Sequence, residues 1–182
     1  GFGATPKTFG LQDDKATLVF ESPDTQIFAF SVSHAPIHPA VGYKIVYKDR
    51  SMVISGDTTP SAHVERQAKG VDVLVHEAMS MEMMTLLQEG AHIAKRDKLE
   101  QLMKDITNYH TSPVEAAQIA NKAEVGHLML HHIAPPLPLP GLVDVFLKGT
   151  DNAFKGKIQV AKDGDMLSLP AGQKTIQASS RF

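Results

Sequence analysis

The distribution of apolar residues predicts most of the strands in this chain of 182 residues. Short runs rich in β-branched and aromatic residues are typical of buried strands, and Pro, Gly, Asn and Asp between them mark turns. The predicted strands are 16–21, 26–33, 43–47, 51–55, 71–75, 126–131, 158–161 and 166–169. Lys48-Asp49-Arg50 and Asp163-Gly164 are turn sequences. We therefore expect hairpins around them, one of 43–47 with 51–55 and one of 158–161 with 166–169.

Helical periodicity and capping residues predict the helices. The first is expected to begin near Pro60 and to end at Gly70, because Pro is common early in a helix and Gly just after it. Ser112 and Glu115 form a possible capping box before the apolar-periodic AAQIANKA, so another helix begins there. The remaining predicted helices are 79–88, 94–106 and 142–148.

The order of these elements predicts a layered α/β arrangement in a single unit, 1–182. Segment 1–10 is expected to be an irregular lead-in because it shows no periodicity, and segment 171–182 is expected to be a mobile tail because it is polar. A Pro-rich loop covers 134–141.

Composition excludes several classes of protein. The net charge of −2 indicates no general attraction to nucleic acid, so a polyanionic substrate would need a local basic patch. The absence of Cys excludes disulfides, thiolate nucleophiles and Cys-based zinc sites. No apolar run approaches the roughly 18 residues of a membrane span. We expect a soluble protein with no membrane partner; the compartment stays open, with the cytoplasm slightly favoured.

Four predicted strands are followed by a potential metal ligand. The runs FAFSVS, MVISG, VDVLVH and HLMLH lead into His34, Asp57, Glu77 and His132. Ligands of α/β proteins gather at the carboxyl ends of strands, so two imidazoles and two carboxylates are expected to converge. Such a set suits Zn²⁺ and is compatible with Mn²⁺ or Fe²⁺.

The sequence motifs around these residues resemble those of a known protein family. In order along the chain stand SH followed by GY, then SGDT, DVLVHEA, YHTSPVEAAQIA and LMLHHI. Together they resemble the metallo-β-lactamase superfamily, and within it the arylsulfatase-like and ribonuclease Z-like branch. The resemblance runs from Ser33 to the end of the chain. It implies a four-layer αββα sandwich of which this chain supplies roughly the carboxy-terminal half.

The resemblance also implies roles for individual residues. His34 would be a terminal ligand of one metal ion, Asp57 would bridge two ions, and His132 would bind the other. The two divalent ions, most simply Zn²⁺, would lower the pKa of a bound water toward about 7 and generate hydroxide as the nucleophile. Glu77 and His110 would form an acid/base pair in which His110 protonates the leaving group.

One diagnostic element of the family, an HxHxDH loop that supplies four metal ligands, is absent from the chain. Three ligands cannot fill two coordination spheres, so we expect the isolated chain to bind metal poorly and to be inactive. The missing half would lie upstream of Gly1 or on a companion polypeptide. An incomplete fold would expose apolar sheet, so homo-oligomers or association with that half are expected.

The resemblance predicts a dinuclear metal-dependent hydrolase of an ester-like bond, such as a phosphodiester, sulfate ester or lactone. tRNA is disfavoured because the interval between His34 and Asp57 holds only a hairpin, where tRNA-processing members carry a long insertion. Nucleic acid is therefore not an expected partner. Two alternatives are a non-catalytic scaffold or regulatory half-domain and a tRNA 3′-processing endonuclease.

Several of these residues have simpler interpretations. Asp57 could cap a turn, Glu77 could pair with His76 or a lysine, and His110 could cap the helix at Ser112. His131 competes with His132, but strand alternation should point the two to opposite faces. His38 is expected to line a pocket wall or to lie at the surface, and His63, His92 and His127 are expected to be solvated. The methionine cluster is expected to pack between helices, or alternatively to line an apolar substrate cleft; it consists of Met79, Met81, Met83 and Met84.

Overall fold

The computed structural model describes residues 3, 5–12 and 15–181. Within them the chain forms nine strands and six helices. The strands are β1 (Thr17–Glu21), β2 (Thr25–Val32), β3 (Ala40–Tyr47), β4 (Arg50–Ile54), β5 (Val73–Met79), β6 (His127–Ala134), β7 (Lys157–Val160), β8 (Asp165–Ser168) and β9 (Gln177–Ser180). The helices are α1 (Ala62–Gln67), α2 (Met81–Ile93), α3 (Asp97–Ile106), α4 (Pro113–Lys122), α5 (Leu142–Phe146) and α6 (Thr150–Ala153).

Seven strands form one mixed sheet in the sequential order β1 to β7. The first four are joined by antiparallel pairings, whereas β4, β5, β6 and β7 are parallel to one another. Because β2 is antiparallel to β3 and β3 to β4, β2 runs in the same direction as the parallel strands. The carboxyl ends of β2, β4, β5 and β6 therefore lie at one edge of the sheet.

One face of this sheet packs against helices. The cross-strand row Val53, Leu74 and Leu128 is fully buried in the main hydrophobic cluster, which also contains residues of α1 and α4. Burial of each large apolar side chain contributes roughly 1.5–3 kcal/mol, so this row anchors the helical layer. The helices α1, α2 and α4 begin at serine side-chain caps, and Ser112 and Glu115 form the predicted capping box at the start of α4.

The opposite face is also apolar but less covered. Its cross-strand row consists of Tyr43, Ile54, Val75 and Met129, all half-buried. The mixed α/β class is confirmed. The described residues contribute one large sheet with helices on one face, which corresponds to two layers of the expected four-layer sandwich.

The predicted closing hairpin is wrong. β7 pairs with β6 in the main sheet and thereby places Ile158 and Val160 against the core, whereas β8 pairs with β9 in a separate ladder. Segment 171–182, expected to be a mobile tail, contains β9; residue 182 lies outside the described residues. In segment 1–10 the described residues, 3 and 5–10, carry no helix or strand.

Arg50 explains why the carboxy-terminal segment is held in place. Its guanidinium is 2% exposed, donates to the carbonyl oxygens of Pro170, Gln173 and Thr175, and forms a 3.0 Å ion pair with Asp72. A buried cation needs such partners, and backbone carbonyls supply most of them.

Among the helices of the described residues, none has the length and apolar character needed to cross a lipid bilayer.

Candidate functional site

The strand edge described above collects the predicted site residues. His34 follows β2 and Asp57 follows β4, while Glu77 and His132 lie near the carboxyl ends of β5 and β6. His110 enters from the loop before α4. Its ring centre lies 5.1 Å from that of His34 and 5.9 Å from that of His132. The structure thus places all five side chains at one edge.

Glu77 lies at the centre of this group and is fully buried. Its Oε1 accepts hydrogen bonds from the backbone N–H of Thr111 at 2.9 Å and of Thr58 at 3.3 Å. The Nδ1 atom of His110 lies 3.3 Å from the same oxygen. Among the described residues, the buried Oε2 has no hydrogen-bond partner. One carboxylate oxygen is therefore fixed, and the other is left for a ligand or water.

The SGDT motif is shaped by a close backbone approach. Gly56 has a φ of +65°, and a Cβ on it would lie 2.3 Å from the carbonyl oxygen of Val41. Only glycine combines that conformation with that contact. The preceding Ser55 accepts a hydrogen bond from the backbone N–H of Glu77 at 3.1 Å. The motif thus turns Asp57 toward the site and ties β4 to Glu77.

His132 is placed by a bulge in β6. Glu77 faces His131 and Ala78 faces Ile133, so His132 is the extra residue in the ladder. It adopts a φ of +44°, which non-glycine residues rarely do. Its Nδ1 lies 3.2 Å from Oδ1 of Asp57. The bulge, rather than simple strand alternation, separates His132 from His131 and turns it toward Asp57.

His34 is oriented by the residue before His110. Its Nδ1 lies 3.0 Å from the carbonyl oxygen of Tyr109, and the Tyr109 ring packs edge-on at 5.0 Å. A carbonyl only accepts, so Nδ1 of His34 carries the proton and Nε2 is free to bind a metal. This backbone contact is of the kind that orients metal-ligating histidines in other proteins.

The ligand chemistry of the site fits a divalent metal ion. One donor atom from each of Glu77, His110 and His132 lies within 4.8 Å of the others. Imidazole nitrogen and carboxylate oxygen suit Zn²⁺, Mn²⁺ or Fe²⁺. The free Oε2 of Glu77 is consistent with this. The group differs from the predicted ligand set of His34, Asp57 and His132, since it includes both members of the predicted acid/base pair.

The other histidines divide into exposed and buried ones. His92 is exposed, as expected. The expectation of a solvated His63 is wrong, because this side chain is half-buried and its Nδ1 lies 3.0 Å from the carbonyl oxygen of Ser31. The expectation of a solvated His127 is wrong, because it is 1% exposed at the start of β6 and burial lowers its pKa. Burial likewise lowers the pKa of the half-buried His131, and that of the fully buried His76.

Sequence reasoning missed the groups that hold Glu77. Thr58 and Thr111 are fully buried, and the Thr111 hydroxyl donates to the Thr58 carbonyl at 2.6 Å. This bond joins the loop after β4 to the loop before α4. Thr58 follows Asp57 in the SGDT motif, and Thr111 follows His110 in the HTS sequence at 110–112. Their positions next to these candidate site residues could have indicated their role.

Comparison with known proteins agrees with this architecture. Residues 5–133 match the profile of the β-lactamase superfamily domain. The chain is similar to ribonuclease Z of Mycobacterium tuberculosis H37Rv, with 30% identity over 159 residues, 87% of this chain and 54% of that protein. It is 32% identical to ribonuclease Z of Mycobacterium sp. strain KMS over 130 residues, 71% of this chain and 41% of that protein. The chain thus spans about half the length of these relatives.

Solved structures share the fold. The metallo-β-lactamase fold protein YhfI of Bacillus subtilis aligns with 92% of this chain and 54% of its own, at a TM-score of 0.58 and 18% identity. The short form of human tRNase Z aligns with 82% of this chain and 44% of its own, at a TM-score of 0.53 and 19% identity. At such identities the likeness concerns the fold alone.

Proposed function

Because the chain belongs to the metallo-β-lactamase superfamily, with ribonuclease Z-like relatives, we propose that it forms the carboxy-terminal half of a dinuclear metal-dependent hydrolase acting on a phosphodiester or related ester. The observation that carries the proposal is the convergence of His34, Asp57, Glu77, His110 and His132 at one sheet edge. A scaffold has no need to bury an incompletely bonded carboxylate beside the imidazoles of His110 and His132.

The residues of this chain would have two kinds of role, metal binding and proton transfer. His34, Asp57 and His132 would hold the ions. Glu77, fixed by two backbone N–H groups, stabilises a positive charge on His110. His110 would then deliver a proton to the oxygen of the leaving group. Divalent ions at this edge supply Lewis-acid polarisation of the ester and activation of the attacking water.

The remaining ligands of a dinuclear site would come from a segment or chain that carries HxHxDH. The sheet face with Tyr43, Ile54, Val75 and Met129 supports this proposal, because half-buried apolar residues in a continuous row favour a further layer. The isolated 182-residue chain is then expected to be inactive.

RNA is a second candidate substrate because the relatives are named ribonuclease Z. Against it stands the β3–β4 hairpin, which spans most of the interval between His34 and Asp57 and leaves no long insertion. Cleavage of a 3′-extended tRNA precursor, with binding that weakens steeply as salt rises, would favour this reading. Cleavage of small esters alone would favour the first.

The test uses the assembled protein, meaning this chain together with the part that supplies HxHxDH. Metal content is measured by elemental analysis, and hydrolysis is measured on bis(p-nitrophenyl) phosphate, p-nitrophenyl sulfate and a γ-lactone. We expect about two metal ions per site and hydrolysis that Asp57→Asn abolishes, whereas the turn variant Asp163→Asn leaves it intact. A metal-free, inactive assembly would instead favour the scaffold alternative.

A further inference from the structure

We propose that His76 is a positioning residue that holds the backbone of Glu77 and, through it, the acid/base pair. The imidazole of His76 is fully buried on the helix-covered side of β5, next in sequence to Glu77. Its Nδ1 lies 2.7 Å from the carbonyl oxygen of Glu77. Because a carbonyl oxygen only accepts, Nδ1 carries the proton and donates it.

This hydrogen bond lies where the β5–β6 ladder is interrupted. The register shifts between Glu77 and Ala78, opposite the extra residue His132. A bulge disrupts the regular ladder locally and leaves backbone groups that need other partners. At this point the side chain of His76 donates a hydrogen bond to the Glu77 carbonyl. The same contact therefore stabilises the backbone of Glu77 and the bulge that contains His132.

Glu77 is thereby held at its N–H, at its carbonyl and at one of its two carboxylate oxygens. Its N–H donates to Ser55, its carbonyl accepts from His76, and its Oε1 accepts from two backbone N–H groups. A loss of the His76 contact would let the peptide after Glu77 rotate. Because the carboxylate is fixed at only one oxygen, that rotation would weaken its bonds to Thr58 and Thr111.

An ordinary core histidine would not need such an arrangement. Among the described residues, the buried Nε2 of His76 has no hydrogen-bond partner, so the imidazole lacks one of its two hydrogen bonds. An apolar residue of similar size would avoid the cost of burying an unpartnered ring nitrogen. Nδ1 of His76 therefore contributes something that packing does not require.

The experiment measures amide hydrogen exchange in the chain by NMR for wild type, His76→Leu and His76→Asn. Leucine removes the donor at similar size, whereas asparagine can place an N–H near the position of Nδ1. We expect His76→Leu to speed exchange of the Thr58 and Thr111 amides about tenfold or more relative to the core amides of Leu74 and Leu128. His76→Asn should restore much of the protection.

Two results would overturn the proposal. One is unchanged protection of Thr58 and Thr111 in His76→Leu; the other is an equal loss at all four amides that asparagine does not reverse. If His76→Leu does not fold, His76→Met replaces it in the same comparison. The inference rests on the proposed role of Glu77, but the exchange measurement needs no activity. Its failure is therefore distinguishable from failure of the proposed hydrolase.

Discussion

The Nδ1 atom of His110 faces Oε1 of Glu77 at 3.3 Å, and the carboxylate is fully buried while the imidazole is 9% exposed. In such surroundings the attraction between a carboxylate and an imidazolium is weakly screened. In the proposed function this attraction would stabilise a charged imidazole during proton transfer, as general acid catalysis requires.

Replacing Glu77 by glutamine tests this relationship. Glutamine keeps the size and the Oε1 acceptor but removes the charge, so the fold should persist while kcat of the assembled protein falls by about 10²–10⁴. The control is Glu82→Gln, an exposed position on α2. Initial rates on bis(p-nitrophenyl) phosphate measure the effect, and a kcat equal to that of the control would contradict the assignment.

Gly56 is expected to be intolerant of alanine. Gly56→Ala meets both a left-handed φ and the Val41 carbonyl, whereas Gly70→Ala meets a similar φ of +68° with no atom within 4 Å. The Gly70 variant should lose about 1–2 kcal/mol of unfolding free energy, the cost of the left-handed conformation. The Gly56 variant should lose more. Urea unfolding compares them, and equal losses would mean that the close approach is relieved at no cost.

His132 should show the strain of its bulge. His132→Ala and His132→Gly both remove the imidazole, but only glycine adopts a φ of +44° without a steric penalty. We expect the glycine variant to be more stable than the alanine variant by about 1 kcal/mol in urea unfolding. In an ordinary strand position the order would be reversed, since glycine weakens strands.

Arg50 should contribute strongly to stability. Arg50→Met leaves Asp72 without its buried partner and frees three carbonyl oxygens. Breaking a buried ion pair in this way costs about 3–5 kcal/mol. Arg50→Lys keeps the charge but cannot reach all these acceptors, so an intermediate loss is expected. Thermal or urea unfolding that left Arg50→Met as stable as wild type would refute the role.

Stability should fall as the solution becomes mildly acidic. Burial holds the pKa of His76 and His127 below the ordinary value of 6.5, so between the folded pKa and about 6.5 the unfolded chain binds more protons. The free energy of unfolding therefore decreases as pH drops below about 6.5 and is unaffected by these groups above it.

The slope of that dependence provides the measurement. Replacing His127 by asparagine should reduce the slope of unfolding free energy against pH just below pH 6.5, by up to about 1.4 kcal/mol per pH unit. The control replaces the exposed, non-titrating Gln118 by asparagine, which should leave the slope unchanged. Identical slopes in the two variants would show that His127 is not held neutral by the fold.

The sequence contained enough information to predict the edge where the site residues meet. FAFSVS, MVISG, VDVLVH and HLMLH are apolar runs whose ends are unambiguous, so the residues that follow them could be located. The bulge could not be predicted. A glycine in a strand would have indicated a left-handed backbone there, but the left-handed residue of this bulge is a histidine. His127 was misjudged because its burial depends on strands distant in sequence.

The pairing of β8 with β9 could not be predicted either, because it too depends on a contact between residues that are distant in sequence. Asp163-Gly164 is good turn chemistry, and local propensity alone favours a hairpin around it. The actual partner of β8 is β9, in a segment whose carbonyl groups are held by Arg50, more than 100 residues earlier in the chain. The sequence around Asp163-Gly164 alone could not predict the contact of Arg50 with this segment.

The bulge in β6 also has an evolutionary consequence. His132 is an added residue between His131 and Ile133 rather than one position of a regular ladder. Loss of a single codon there would restore an unbroken β5–β6 ladder and keep the hydrophobic alternation of the strand intact. One deletion could therefore convert a relative with this site into a well-folded protein without it, and one insertion could reverse the change.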